Sequence, residues 1–279
     1  MKKHLTILLC LGIMGFMTLG FTQEDDVHKE YYPKGKLKAE IPHNGIGKRY
    51  YESGALRREE AFKDGQLDGV AKEYYESGVL KSEEIYKGGK LNGIIKDYYE
   101  NGTLEAEWSF RDGKEDGLSK LYYKNGALDV EKPFKDGKLE GIQKEYYENG
   151  LLKVETPLQN DKANGVQKKY YPNGKLSYEC PCINGLKEGI EKFYYKNGKL
   201  EGEHLRRNGK KEGVARHYYE SGALESEYNL KNDREEGISK EYFENGKLRA
   251  ETLWKQGKAV HGKDYDESGN LVSEGDLTP

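Results

Sequence analysis

The sequence predicts an all-β protein, an elongated single-layer array or solenoid of stacked antiparallel β-hairpins with a 24-residue period. Three observations predict it. A paired aromatic recurs, and the first member of each pair falls at Tyr50, Tyr74, Tyr98, Tyr122, Tyr146, Tyr170, Tyr194, Tyr218 and Tyr242, always 24 residues apart. A fixed period between about 20 and 50 residues is the mark of a repeat array. Every pair is followed by a two-residue turn signal such as Asn149-Gly150 or Ser53-Gly54, with Gly always second. Asn-Gly between alternating segments is a strong hairpin signal, because both positions of a type I′ turn need φ > 0.

The 279 residues are 34% charged, with acids and bases interspersed and a net charge of −3. That mean polarity alone would suggest disorder. The strict period and 23 tyrosines against 7 phenylalanines argue for a thin sheet, in which a ring is half buried while its hydroxyl stays wet. No basic stripe marks a nucleic-acid binder.

The chain opens with Lys2 and Lys3, an apolar run from Leu5 to Phe21, and then Glu24, Asp25 and Asp26. This is the pattern of a secretory signal peptide over residues 1–22, cleaved after Gly20 or Thr22. The alternative is an uncleaved anchor, since the run is near the lower length for a span. Leu9 is too bulky for Cys10 to be a lipidation site. The array is expected over residues 23–279, with repeats from about 29 to 275. Export is the expectation: periplasm, outer surface or secretion.

The first copy, Tyr31-Tyr32, precedes Tyr50 by 19 residues, and the last, Tyr265-Asp266, falls one residue early, giving eleven copies. Irregular end units are expected of arrays. Within a copy, the turn at Asn149-Gly150 sets a register in which Tyr147 faces Leu152, Tyr146 faces Lys153 and Lys144 faces Glu155. The last pair recurs in all copies, for example as Lys72 with Glu83 and Lys96 with Glu107, and each directly opposed pair contributes roughly 0.2–1 kcal/mol. Lys-Asp-Gly variants near Asp64-Gly65, Asp112-Gly113 and Asp136-Gly137 form a second turn to the next hairpin. Proline at Pro133, Pro157 and Pro181 marks places where pairing stops or meets an edge.

Alternation assigns two faces. One carries the aliphatic residue (Ile142 and equivalents), the Lys–Glu pair and the first Tyr. The other carries the second Tyr, the recurring Leu and an apolar slot (Phe62, Tyr86, Phe110, Phe134, Trp254), and is expected to be the core. A unit too small to bury that face alone must stack. Cys180 and Cys182 fill slots held elsewhere by residues such as Trp108 and Phe62, and a disulfide across one proline would be strained. A redox or covalent role is the other reading of the two cysteines.

The unit Tyr-Tyr-x-Asn-Gly-x-Leu-x-x-Glu followed by Gly-x-x-x-Gly resembles the MORN repeat, in particular the bacterial variant filed as a YwqK-type antitoxin family. The commoner form has Trp where this chain has Leu152, so its lipid-binding claims transfer poorly. The resemblance implies hairpin arrays used for assembly and binding, and a bacterial source. An antitoxin would imply a cytoplasmic partner, which conflicts with a signal peptide.

Catalytic and metal-binding motifs were not found. His4, His28, His43, His204, His217 and His261 are scattered at no metal spacing. No nucleophile-elbow, phosphate-loop or zincin motif occurs. A glycosidase would need one copy to differ sharply from the rest, and none does by this reading. Asp-Gly turns lack the spacing of calcium-binding nonapeptides. The expectation is no enzyme, no metal and no cofactor, but an exported scaffold binding protein through a stripe formed by the first tyrosines, Tyr50 to Tyr242. Tyrosine gives large contact area at low entropic cost. The alternatives are a cell-wall or carbohydrate binder, with only Trp108 and Trp254 as further platforms, and an antitoxin-like inhibitor. Neither nucleic acid nor membrane, beyond the signal segment, is an expected partner.

Overall fold

The computed structural model describes residues 27–277, so the expected signal segment over residues 1–22 lies outside the described residues. Those residues hold no helix; they form one open antiparallel sheet of 28 strand segments. Six segments, such as Lys138–Leu139, are two residues long and resume after one residue as the next, here Gly141–Tyr146. Each hairpin therefore has two strands, an outgoing one ending at the first aromatic and a return one, Leu152–Gln159 in the sixth hairpin. At about 4.8 Å per strand, one hairpin advances the sheet by roughly 10 Å.

Lys144 does face Glu155, but Tyr146, not Tyr147, pairs with Leu152, with a register shift after Glu145. The cause is the turn. Asn149 keeps negative φ and only Gly150 is left-handed, at +81°. The Gly150 amide donates to the Tyr147 carbonyl and the Tyr147 amide to the Leu151 carbonyl, both 2.8 Å. This is a type I turn closed by a left-handed glycine, a three-residue loop, rather than the expected type I′. The same bonds recur from Tyr32 to Asp266, eleven times in all. The type I′ geometry sits at the second turn, where Asp64 (+51°) and Gly65 (+74°) are both left-handed.

The prolines neither end pairing nor lie at an edge. Pro133 pairs with Leu118 on one side, and on the other its carbonyl accepts from the Glu140 amide at 3.0 Å. The register slips by two residues there: Phe134 pairs with Leu139, but Val130 pairs with Glu145. A two-residue slip preserves the alternation of faces, so the bulge bends the sheet without turning a side chain over. Gly141 and its equivalents make the bulge. At Gly165, φ is +130° and a Cβ would meet Pro157 Cβ at 2.9 Å.

Consecutive hairpins are tied by the second aromatic. Tyr147 donates its hydroxyl to the Tyr170 carbonyl at 2.7 Å. The same bond joins Tyr32 to Tyr50 and runs through to Tyr219 with Tyr242, all between 2.6 and 2.9 Å. The buried residues lie on the face expected to be the core. They are mostly small: Ala71, Ala106, Ser119, Cys180 and Ala215. The recurring leucines are half-buried rather than central. With no second layer, the side chains shielded fully are mostly short ones that their neighbours can cover, Glu191 being the exception.

Two outcomes are expected from urea unfolding. Gly165→Ala should cost about 1–3 kcal/mol, the cost of forcing a side chain into this backbone region. Tyr147→Phe, which removes one inter-hairpin hydrogen bond, should cost about 1 kcal/mol.

Candidate interaction face

Three parallel rows run across the sheet on the face opposite the buried side chains. The outer row is aliphatic. Ile46, Val70, Ile94, Leu118, Ile142, Val166, Ile190, Val214 and Ile238 are each between 40% and 57% exposed. Between them stand their return-strand partners: Ile142 pairs with Pro157, Val70 with Ile85, Ile190 with Leu205 and Ile238 with Leu253. Only Ser109 and Asn229 interrupt the row with a polar side chain between Ile46 and Leu253. Alternation fixes this: each aliphatic residue lies two positions before the Lys and so on its face.

The middle row is the Lys–Glu pair extended into a ladder. Each Lys also stands opposite the Glu of the preceding hairpin: Lys144 pairs with both Glu131 and Glu155. The alternation continues through every strand from Lys29 to Glu274. Lys72 lies 3.6 Å from Glu83, and Arg216 lies 3.7 Å from both Glu203 and Glu227. Lys96 and Glu107, and Lys144 and Glu155, are opposed in register without closing an ion pair. Their carboxylates accept tyrosine hydroxyls instead.

Those tyrosines form the inner row. The first Tyr of each pair reaches back to the Glu of the preceding hairpin: Tyr122 to Glu107, Tyr146 to Glu131 and Tyr170 to Glu155 at 2.9 Å, Tyr194 to Glu179 at 2.7 Å. Tyr74 and Tyr218 make the same contact at 3.5 Å. The expected stripe, Tyr50 to Tyr242, therefore lies on this face but is not freely exposed. The rings are half-buried and most hydroxyls are committed. Burial and the carboxylate partner push the hydroxyls of Tyr122, Tyr146, Tyr170 and Tyr194 up to about 12. The exposed element of this face is instead the aliphatic row, which shares the 24-residue period of the tyrosines. Shallow grooves open beside it, one of about 360 Å³ lined by Ile46, Lys48, Glu59, Val70 and Lys72.

The opposite face varies from hairpin to hairpin, and one copy departs sharply, contrary to the sequence reading. Where other hairpins have Ala71, Ser119 or Ala215, the eighth has Glu191, whose side chain is 1% exposed. Its carboxylate accepts from Tyr178 (2.5 Å), Lys187 (2.6 Å) and Arg206 (2.6 Å), and lies 2.6 Å from His204 Nε2. Burial alone would raise this carboxyl, but the His204, Lys187, Tyr178 and Arg206 hydrogen bonds outweigh it and hold Glu191 well below the usual carboxylate range. His204 Nδ1 is buried without a partner, so Nε2 carries the proton donated to Glu191. The five members of this knot come from three consecutive strands, and Glu191 stands directly opposite His204 in the hairpin register; the available signal was an acid where the neighbouring copies have Gln167 and Ala215. The neighbouring Cys180 and Cys182 are free and buried, and burial raises both thiols, which makes them poor nucleophiles. Among the described residues, no group of His, Cys, Asp or Glu is disposed to hold a metal ion.

A family model described as "MORN repeat variant" matches ten consecutive segments, from residues 27–44 to residues 235–256. The chain belongs to the MORN-variant repeat family. No curated protein sequence matches it. Among solved structures, the chain is similar to "Crystal Structure of TcdB2-TccC3-Cdc42" at 14% identity and a TM-score of 0.20, covering 88% of this chain and 14% of that one. It is also similar to "Structure of Photorhabdus luminescens Tc holotoxin pore, Mutation TccC3-D651A" at 11% identity and a TM-score of 0.19, covering 90% of this chain and 16% of that one. This MORN-variant chain thus spans about a seventh of the length of those toxin-complex chains. The family match ends before the last hairpin, Lys258–Tyr265 with Leu271–Asp276, which keeps the same turn with Asp266 in place of the second aromatic.

Two titrations follow. Absorbance of the tyrosinates should show a class ionising near pH 12, and stability should be lost as the pH rises past about 10, where unfolded tyrosines begin to ionise. On the acid side, the depressed Glu191 contributes stability present above about pH 4.5 and lost as the pH falls below it; in Glu191→Gln that part of the acid dependence should disappear.

Proposed function

We propose that this MORN-variant protein is a non-catalytic scaffold that binds protein through the aliphatic face, after export to the bacterial envelope or surface. One observation carries the reading: the same face is presented again and again, and its most exposed row is hydrophobic. Monomeric proteins seldom expose contiguous apolar patches beyond a few hundred Å², and larger ones mark interaction sites. The flanking ladder keeps the face soluble while its charges cancel pairwise, so neither an anionic polymer nor a basic one is drawn to it over long range.

The tyrosines support binding by stiffening the face, since their hydroxyls are anchored and their rings need no ordering when a partner arrives. The signal-like N-terminus supports export. A cell-wall glycan is the second reading, favoured by the half-exposed tyrosine rings at repeat spacing. An antitoxin role is supported only by the resemblance noted above.

Affinity capture with the exported chain from envelope fractions tests the proposal. Wild-type protein should retain a protein partner, and Ile94→Lys with Ile142→Lys should lose it without changing the circular dichroism spectrum. Retention of purified cell wall instead, unaffected by protease treatment of that wall, would favour the glycan. Mass spectrometry of the exported chain should find an N-terminus beginning at Phe21 or Gln23.

A further inference from the structure

The aliphatic face is self-complementary, and we propose that its partner is a second copy of this chain, packed face to face as an antiparallel two-fold dimer. This rests on the proposal that the face binds protein, and it names the protein.

Two constraints on the occupant come from the face itself. It must repeat with the hairpins, every 10 Å or so, because every hairpin presents the same row. It must also offer alternating charge at half that spacing, to match the ladder. An extended peptide repeats its side chains every 6.8 Å or so and falls out of phase within a few residues. A second copy of this sheet meets both constraints by construction.

The symmetry can be followed residue by residue. A two-fold axis parallel to the strands and midway between Lys144 and Glu155 reverses the order of strands and leaves each row on its own row. Lys144 then stands over Glu155 of the second copy, and Glu131 over its Lys168. Along the aliphatic row the same operation sets Ile142 over Pro157. Across the axis the ladder therefore meets acid on base throughout, with no like charges opposed, and the aliphatic row meets apolar on apolar except where Ser109 stands over Ile190. This is an isologous interface, in which one patch serves both subunits and assembly stops at two. Placing the axis on a Lys instead would stack like charges, which fixes the register to one of every two positions.

The area is sufficient. Three rows span a width of roughly 20 Å, and contact over four or five hairpins has a length of roughly 45 Å, so each copy covers about 900 Å². A stable interface needs about 800 Å² per partner. The dimer also gives the single-layer sheet the second layer that sheets ordinarily pack against. The opposite face, with its buried Glu191 and its changing side chains, is left outward.

Sedimentation equilibrium of the full exported chain tests this. At tens of micromolar the wild-type mass should be twice that of the chain. The variant carrying Ile94→Lys, Ile142→Lys and Ile190→Lys should raise the dissociation constant at least tenfold, while Lys169→Glu, on the other face, should leave it unchanged. The unaltered chain gives a second reading: carbodiimide modification of Glu131 and Glu155 should fall as concentration rises through the dimer range. A wild-type chain that stays monomeric, a dimer indifferent to the three lysines, or modification independent of concentration would each overturn the proposal. A monomer that still captures an envelope protein through the isoleucines would overturn the dimer alone and leave the broader reading of the face standing.

Discussion

The hydrogen bond from the second tyrosine of one hairpin to the main-chain carbonyl of the first tyrosine in the next is what the structure depends on. It crosses from hairpin to hairpin at Tyr147 and Tyr170, and again at every equivalent position from Tyr32 to Tyr219. A two-stranded hairpin alone is marginal in water. This sheet has no second layer of helices or strands to bury one face, and the fully buried residues are mostly as small as alanine and serine. What holds one hairpin is therefore its neighbour: the pairing ladder, the tyrosine hydroxyl and the half-burial of rings and leucines. Phe243 stands where the final hydroxyl would be, so the last hairpin is joined without this bond. A stack that lives on nearest-neighbour terms is a one-dimensional system, and its stability is a sum along the chain.

The same constraint explains why the two faces differ. The exposed face carries the ladder, in which a Lys or Arg and a Glu alternate across every strand. Its register is fixed by charge as well as by the turns, because a one-residue slip would send the row to the other face. Tyrosine joins that row by hydrogen bonds to Glu107, Glu131, Glu155 and Glu179. Any substitution in the ladder disturbs two hairpins, so the face repeats with little variation. The other face carries no such chain of mutual dependence. It accommodates an Arg58 bridged to Glu60 and Glu84 near one end, the Glu191 knot towards the other, and a mixture between them that includes Trp108 bonded to Asp97 and Gln167 bonded to Thr156. The buried Glu191 is held by Tyr178, Lys187, His204 and Arg206 together, since a buried carboxylate without donors is strongly unfavourable.

Much of this was legible in the sequence. The period of the Tyr pairs gave the array, and Lys144 opposite Glu155 followed from counting back from the turn. The turn type was not legible from Asn149-Gly150, because that dipeptide also suits a type I turn with a left-handed glycine, and only the main-chain bonds that close the three-residue loop distinguish the two. Pro133 reads as a strand breaker because its missing amide is visible in sequence, while the bulge at Glu140 and Gly141 that accommodates it depends on the next hairpin. The isoleucines were legible as members of the face opposite the core, but the expected contact stripe on that face was the first tyrosines, and the aliphatic row is the more exposed of the two. In a single layer, burial depends on the neighbours on the same face: Ile95 is buried on one face while Ile142 is exposed on the other. In the Glu191 knot, the pairing with His204 follows from the hairpin register, while the convergence of Tyr178, Lys187 and Arg206 on one carboxylate depends on side-chain placement.

The most direct measurement excises whole hairpins from the middle of the array, 24 residues at a time, and follows urea unfolding of what remains. If each hairpin is stable only through its neighbours, every excision should lower both the unfolding free energy and its dependence on urea, by similar steps. Equal stability after two or three excisions, with the slope unchanged, would show that the hairpins fold independently and contradict the account.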